Sequence, residues 1–144
     1  MSKLCDALRQ LECDAFALVA KFHNYHWNVK GQGFTTLHSY TEEAYDEMFE
    51  LYDDLAERVL QLEEKPVVNL QELVEKAQVP TNNNTSFSAN EVITNLIADY
   101  QYLIKAFKDL ATLADSEGDC VVASMCDDKL TAFEKRVWIL KSWL

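Results

Sequence analysis

The sequence predicts an all-α domain built from four long helices, and three observations carry that prediction. Gly and Pro together supply only five of the 144 residues, about 3% against a usual ~12%. That is too few for the tight turns of a β-sandwich or barrel, or for glycine loops that cradle phosphate. Hydrophobic residues make up 49% of the chain, enough for a core without disulfide staples, and a mass of 16.5 kDa fits one domain over residues 1–144. Apolar residues recur every three or four positions along most of the chain, the spacing of one helix face and not of a strand.

The first helix is predicted over residues 4–30, with Leu4, Leu8, Leu11, Ala15, Val19, Phe22 and His26 on one face. Lys30 falls in its last turn, and Gly31 sits where a helix end favours a left-handed residue. The second helix is predicted over 34–62, ending before Pro66; it is roughly 29 residues, or about 43 Å at 1.5 Å per residue. Residues 64–87 change character: Pro66, Pro80 and the polar run Thr81-Asn82-Asn83-Asn84-Thr85-Ser86 read as a long crossover, with a short helix over 70–77 inside it. Ser88-Ala89-Asn90-Glu91 has capping-box spacing and starts a third helix. That helix runs through Val92, Leu96, Tyr100, Leu103, Phe107 and Leu110 to Glu117, and Gly118 breaks it. The fourth is predicted over 119–143, along Met125, Leu130, Phe133, Val137, Leu140 and Trp143. Two tight connections and one long crossover between helices two and three give an up-down-down-up bundle, the ferritin-like arrangement.

The formal net charge is −11 and the pI near 4.6. Nucleic acid and anionic lipid are bound chiefly through Lys and Arg, so such a field opposes both. Two readings stay open: acidity for solubility, or a surface that gathers cations. Asp6, Arg9, Glu12 and Asp14 interrupt the apolar stretch that a secretory leader needs, and no 18-residue apolar run exists to span a membrane. The chain is expected to be cytoplasmic. Cys5, Cys13, Cys120 and Cys126 form no CxxC pair and have no His or Cys beside them at ligand spacing. They are expected to be four free thiols packed as small apolar residues.

Only three histidines are present: His23, His26 and His38. The di-iron bundle motif Glu-x-x-His is absent, because Ala20, His23 and Thr35 precede them by three; a metal must bind elsewhere than the bundle core. On helix two, His38, Glu42, Asp53 and Glu57 fall at about 40°, 80°, 100° and 140° from Phe34, one stripe along the edge of the apolar face. Edge positions are where a second subunit packs. The same helix carries Glu43, Asp46, Glu47, Glu50 and Asp54, so a plain solvated flank competes with a metal site. His26 reads equally as a hydrogen-bonded core histidine, and His38 as a satisfied histidine at a helix boundary. Imidazole with carboxylate suits Fe(II), Zn(II) or Mn(II). Asp53 and Glu57, at i and i+4, share a face and can grip one ion. A set of three or four such ligands leaves coordination positions open for an oxidant or a second iron.

The stretch His26-Trp27-Asn28-Val29-Lys30-Gly31, then Phe34, Leu37-His38 and Asp53-Asp54-Leu55-Ala56-Glu57-Arg58 resembles the signature of the Dps family of mini-ferritins. The likeness extends over essentially the whole chain and points to the bacterial branch related to neutrophil-activating proteins. It implies a hollow homododecamer of tetrahedral symmetry with ferroxidase centres at two-fold interfaces. Asp53 and Glu57 of one subunit would bind iron, with His26 and His38 completing the centre from the partner. Glu42 matches a position that is often an outer acid or a ligand to a second iron, and Trp27 matches an aromatic that intercepts radicals. The implied reaction oxidises Fe(II) to Fe(III), with hydrogen peroxide preferred over dioxygen, and mineralises iron inside the shell against oxidative stress. Zinc is a possible competing ion. Asp115, Glu117 and Asp119 are candidate pore acids, although some relatives carry further acids at the positions of Cys120 and Ser124. Family members that condense DNA use a Lys-rich terminal tail. This chain has Lys3 and then its first helix, and it ends at Leu144, so with its net charge direct DNA binding is not expected. A DNA-compacting stress protein and an immune-activating surface ligand are the alternative functions.

Overall fold

The computed structural model describes residues 2–144, which form five helices: α1 (Lys3–Asn28), α2 (Phe34–Gln61), α3 (Leu70–Lys76), α4 (Ala89–Glu117) and α5 (Cys120–Trp143). The order and approximate lengths are those predicted, the short helix in the crossover included. By contact the chain divides into two compact units, one running through Val92 and the other Ile93–Leu144. No helix among the described residues is long and apolar enough to cross a membrane.

In the first unit, α1 and α2 pack side by side and α3 packs on α1. Ser2 caps α1, its Oγ accepting the Cys5 N–H at 3.0 Å, which satisfies one of the amides that a helix start leaves without a partner. Leu8, Leu11, Ala15, Leu18, Phe22 and Tyr25 bury one face of α1, and Leu37, Ala44, Met48, Leu51, Leu55 and Val59 one face of α2.

The end of α1 departs from the prediction. The helix stops at Asn28, and Val29 is already extended, with φ −68° and ψ 138°. The cause is a pairing with Phe87: the Asn28 carbonyl accepts the Phe87 N–H at 3.0 Å, and the Lys30 N–H donates to the Phe87 carbonyl at 2.8 Å. Gly31 does adopt a left-handed φ of 87°, but in the turn between helices and not as the α1 cap.

The crossover has little regular structure, so its peptide groups need partners from elsewhere. Polar side chains of α1 supply them. Arg9 Nη1 donates to the Lys65 carbonyl (3.0 Å) and Gln10 Nε2 to the Lys76 carbonyl (2.7 Å). Glu12 accepts the Val67 N–H at 2.9 Å, and one oxygen of Asp14 accepts both Gln78 N–H (2.7 Å) and Val79 N–H (3.0 Å). Both carboxylates are 1% exposed. Beneath the strap Cys13, Val67 and Leu73 form a small core with Phe16, Tyr52 and Ala77.

At the start of α4 the predicted capping box is present in both directions. Ser88 N–H donates to Glu91 Oε1 at 3.1 Å, and Glu91 N–H donates to Ser88 Oγ at 3.2 Å. In the second unit the Phe133 ring lies 5.7 Å from both Tyr100 and Phe107. Gly118 breaks the chain at φ 72°, and Asp119 caps α5 by accepting the Val122 N–H at 2.9 Å. Of the three candidate pore acids, Asp115 and Glu117 are exposed, whereas Asp119 is half-buried and engaged in that cap.

Three cysteines pack as expected. Burial pushes the Cys13 thiol up to about 11 and Cys126 up to about 12, and raises Cys5, which keeps them protonated and unreactive at neutral pH. Cys120 corrects the expectation: it is exposed, because it is the first residue of α5 and its side chain has no helix turn before it to pack against.

Candidate metal centre

His26 stands in the last turn of α1, where main-chain carbonyls have run out of helical partners; His38 stands early in α2. The His38 ring supplies the partner that the His26 carbonyl lacks. The His38 Nδ1–H donates to the His26 carbonyl at 2.9 Å, and the His26 Nδ1–H donates to the His38 carbonyl at 2.6 Å. A carbonyl only accepts, so in the neutral rings the proton sits on Nδ1 and the lone pair of each Nε2 is left for a metal. The rings stack with centroids 3.6 Å apart and planes 18° from parallel. Thr41, fully buried, donates its hydroxyl to the Leu37 carbonyl at 2.6 Å and stands 3.3 Å from His26 Nδ1. Phe34 stacks on the His38 ring at 5.2 Å. His26 is 7% exposed, and His38 is half-buried.

Asp53 and Glu57 lie one turn apart on α2, both exposed. A hydrogen bond from Glu57 to the Asp53 carboxylate, with the charge of Asp53 and then of Asp54, raises the Glu57 carboxyl above its ordinary value. Two carboxylates on one helix face can both ligate one divalent cation, whose charge offsets their repulsion.

Within one chain the two pairs do not meet. His38 and Asp53 are separated along a single straight helix by about 22 Å. Among the described residues no three His, Cys, Asp or Glu side chains gather around one point. The predicted stripe therefore falls into two groups along α2, His38 with Glu42 and Asp53 with Glu57, and His26 of α1 stands beside the first. Glu42, one turn beyond His38, is exposed on the histidine side. Trp27 is 65% exposed.

The prediction passed over two residues next to the histidines. Tyr45 meets the His26 ring at 5.2 Å and 89°, and stacks on His23 at 3.7 Å and 17°. The available signal was spacing: Tyr45 lies two turns beyond His38 on α2, and His23 one turn before His26 on α1.

Known proteins bear on this geometry. The family model described as a ferritin-like domain matches residues 5–144. The DNA protection during starvation protein of Helicobacter pylori is 39% identical over 142 residues, 99% of each chain. The crystal structure of Helicobacter cinaedi CAIP superposes with a TM-score of 0.96 at 42% identity, covering 99% of both chains. A Dps protein of Vibrio cholerae, described as a member of a broad superfamily of ferritin-like diiron-carboxylate proteins, gives a TM-score of 0.92 at 29% identity, over 98% of this chain and 88% of that one.

Proposed function

The chain belongs to the Dps branch of the ferritin-like family and has its all-α fold, and on that premise we propose that it is a cytoplasmic iron-storing and iron-detoxifying protein whose ferroxidase centres close between copies of itself. The family match over residues 5–144 supports reading the whole chain as one domain. The observation that carries the proposal is the division of the ligands. His26 and His38 are braced with both Nε2 atoms left for a metal, and Asp53 and Glu57 are paired about 22 Å away along the same helix. Neither half holds an ion well alone. Two copies related by a two-fold axis, with their α2 helices antiparallel, bring the histidines of one against the carboxylates of the other, and do so twice per interface. A homododecamer built from such pairs holds the substrate iron at every two-fold contact.

Fe(II) is the substrate and hydrogen peroxide the oxidant. Two Fe(II) ions each give one electron; the O–O bond of one peroxide takes both electrons and two protons, and two waters result. No one-electron oxygen species leaves the site, and the Fe(III) passes into mineral inside the shell. The charge of −11 per chain draws Fe(II) toward the assembly and opposes anions. Zn(II) suits the same imidazole and carboxylate donors but has no redox chemistry, so it competes without turning over.

The test adds Fe(II) anaerobically to the assembled protein and follows it with peroxide. The expected result is two Fe(II) oxidised per peroxide, with Asp53→Ala combined with Glu57→Ala reducing the rate to that of free iron. Unchanged peroxide consumption and mineral formation in that variant would overturn the site.

A further inference from the structure

Two rings beside the histidine pair have no part in the reading above. His23 and Tyr45 lie face to face at 3.7 Å, and the Tyr45 ring stands at 89° to His26. We propose that they are positioning residues which hold His26 in the orientation a metal requires. The proposal rests on His26 being a ligand.

The restraints form a closed circuit on two helices of one compact unit. The His26 ring has one edge tied to the His38 carbonyl and one face covered by His38. The perpendicular Tyr45 ring adds a third contact that opposes turning of the His26 ring about its Cβ–Cγ bond. Tyr45 is fixed in turn by its full stack on His23. The His23 ring is locked to its own helix, its Nδ1–H donating to the Val19 carbonyl one turn back at 2.6 Å, and Trp27 lies against it at 5.4 Å. Position is thus handed from the α1 backbone at Val19 through His23 and Tyr45 to His26, and from there to His38 on α2.

Such a circuit suits a site whose ligands arrive on two separate chains. Each loose side chain that must be ordered on closure weakens the bound state, so a half-site ordered beforehand binds more tightly. Core packing alone does not account for the pair. His23 and Tyr45 are only half-buried, and an aliphatic side chain fills such a position equally well. A flat ring is needed at both positions, with the Nδ1–H bonded to Val19 at position 23, and the tyrosine hydroxyl has no part.

Co(II) and Zn(II) binding to the assembled full-length protein, without iron or peroxide, tests this by calorimetry and by the visible absorption bands of bound Co(II). Tyr45→Leu and His23→Leu are expected to weaken binding about 10- to 100-fold and to shift the Co(II) bands, while Tyr45→Phe restores both. Leu variants that bind Co(II) with wild-type affinity and wild-type bands overturn the proposal. If a Leu variant does not assemble, Tyr45→Met and His23→Gln are read by the same criterion. Asp53→Asn with Glu57→Gln separates the two readings. If that variant binds Co(II) as wild type does, the metal site itself is wrong; if it loses Co(II) while the Leu variants keep it, only the positioning role falls.

Discussion

His26 and His38 each donate Nδ1–H to the other's main-chain carbonyl, at 2.6 and 2.9 Å, so neither ring has an orientation of its own. Alanine keeps the main-chain carbonyl, so removing one ring leaves the other its hydrogen bond and takes away the ring stacked on it. The two substitutions His26→Ala and His38→Ala should therefore couple only through the lost stack. In urea denaturation of the metal-free protein, the double variant is expected to lose less than the sum of the two single losses by about 0.5–1.5 kcal/mol, the worth of a stacked ring pair. Additive losses would show that the stack contributes nothing.

Glu12 separates a charge from a hydrogen bond. It is 1% exposed and accepts the Val67 N–H. Burial raises its carboxyl, against the opposing pull of that N–H and of Arg9. A raised acid favours the protonated native state, so stability falls as pH climbs from the ordinary carboxylate range through the raised value. Glu12→Gln keeps an acceptor and discards the buried charge; it is expected to match or exceed wild-type stability at neutral pH. Glu12→Ala strands the Val67 amide and should cost about 1–3 kcal/mol. Denaturation midpoints of the two variants in one buffer decide it.

Glu64 behaves in the opposite sense. The Ser2 N–H, then Arg9 and the Cys5 thiol, hold its carboxyl below the usual range. Its contribution is complete above the unfolded carboxylate value and disappears as pH falls through the lowered native one. Glu64→Gln should therefore melt below wild type at neutral pH, with the gap closing in acid. A gap that persists unchanged in acid would mean the ion pair is not its source.

What was legible in the sequence is what is decided locally. The start of α4 was readable because Ser88 and Glu91 satisfy each other's amides within one turn. The Asp53–Glu57 pair was readable because i and i+4 share a helix face. The end of α1 was not, because Phe87, far along the chain, pulls Val29 out of the helix. Glu12 and Asp14 read only as charges interrupting an apolar run; their partners are amides of a strap more than fifty residues later. The angular stripe on α2 carries no distance along the axis, and that distance separates His38 and Glu42 from Asp53 and Glu57. The reciprocal histidine bonds and the Tyr45 contact depend on how α1 and α2 are registered, and no local pattern encodes that.

That division gives the sharpest test of an interface-built centre. Two inactive proteins are prepared, one lacking His26 and His38, the other lacking Asp53 and Glu57, each pair replaced by Ala. Neither has a complete site in any pairing with itself. When the two are unfolded together and reassembled, a mixed two-fold pair has one site with all four ligands and one with none. Random pairing makes half the interfaces mixed, so about a quarter of wild-type peroxide-dependent Fe(II) oxidation should return. A site contained within a single chain predicts no recovery, because every chain in the mixture is defective. Mixing the assembled shells without unfolding serves as the control and should stay inactive.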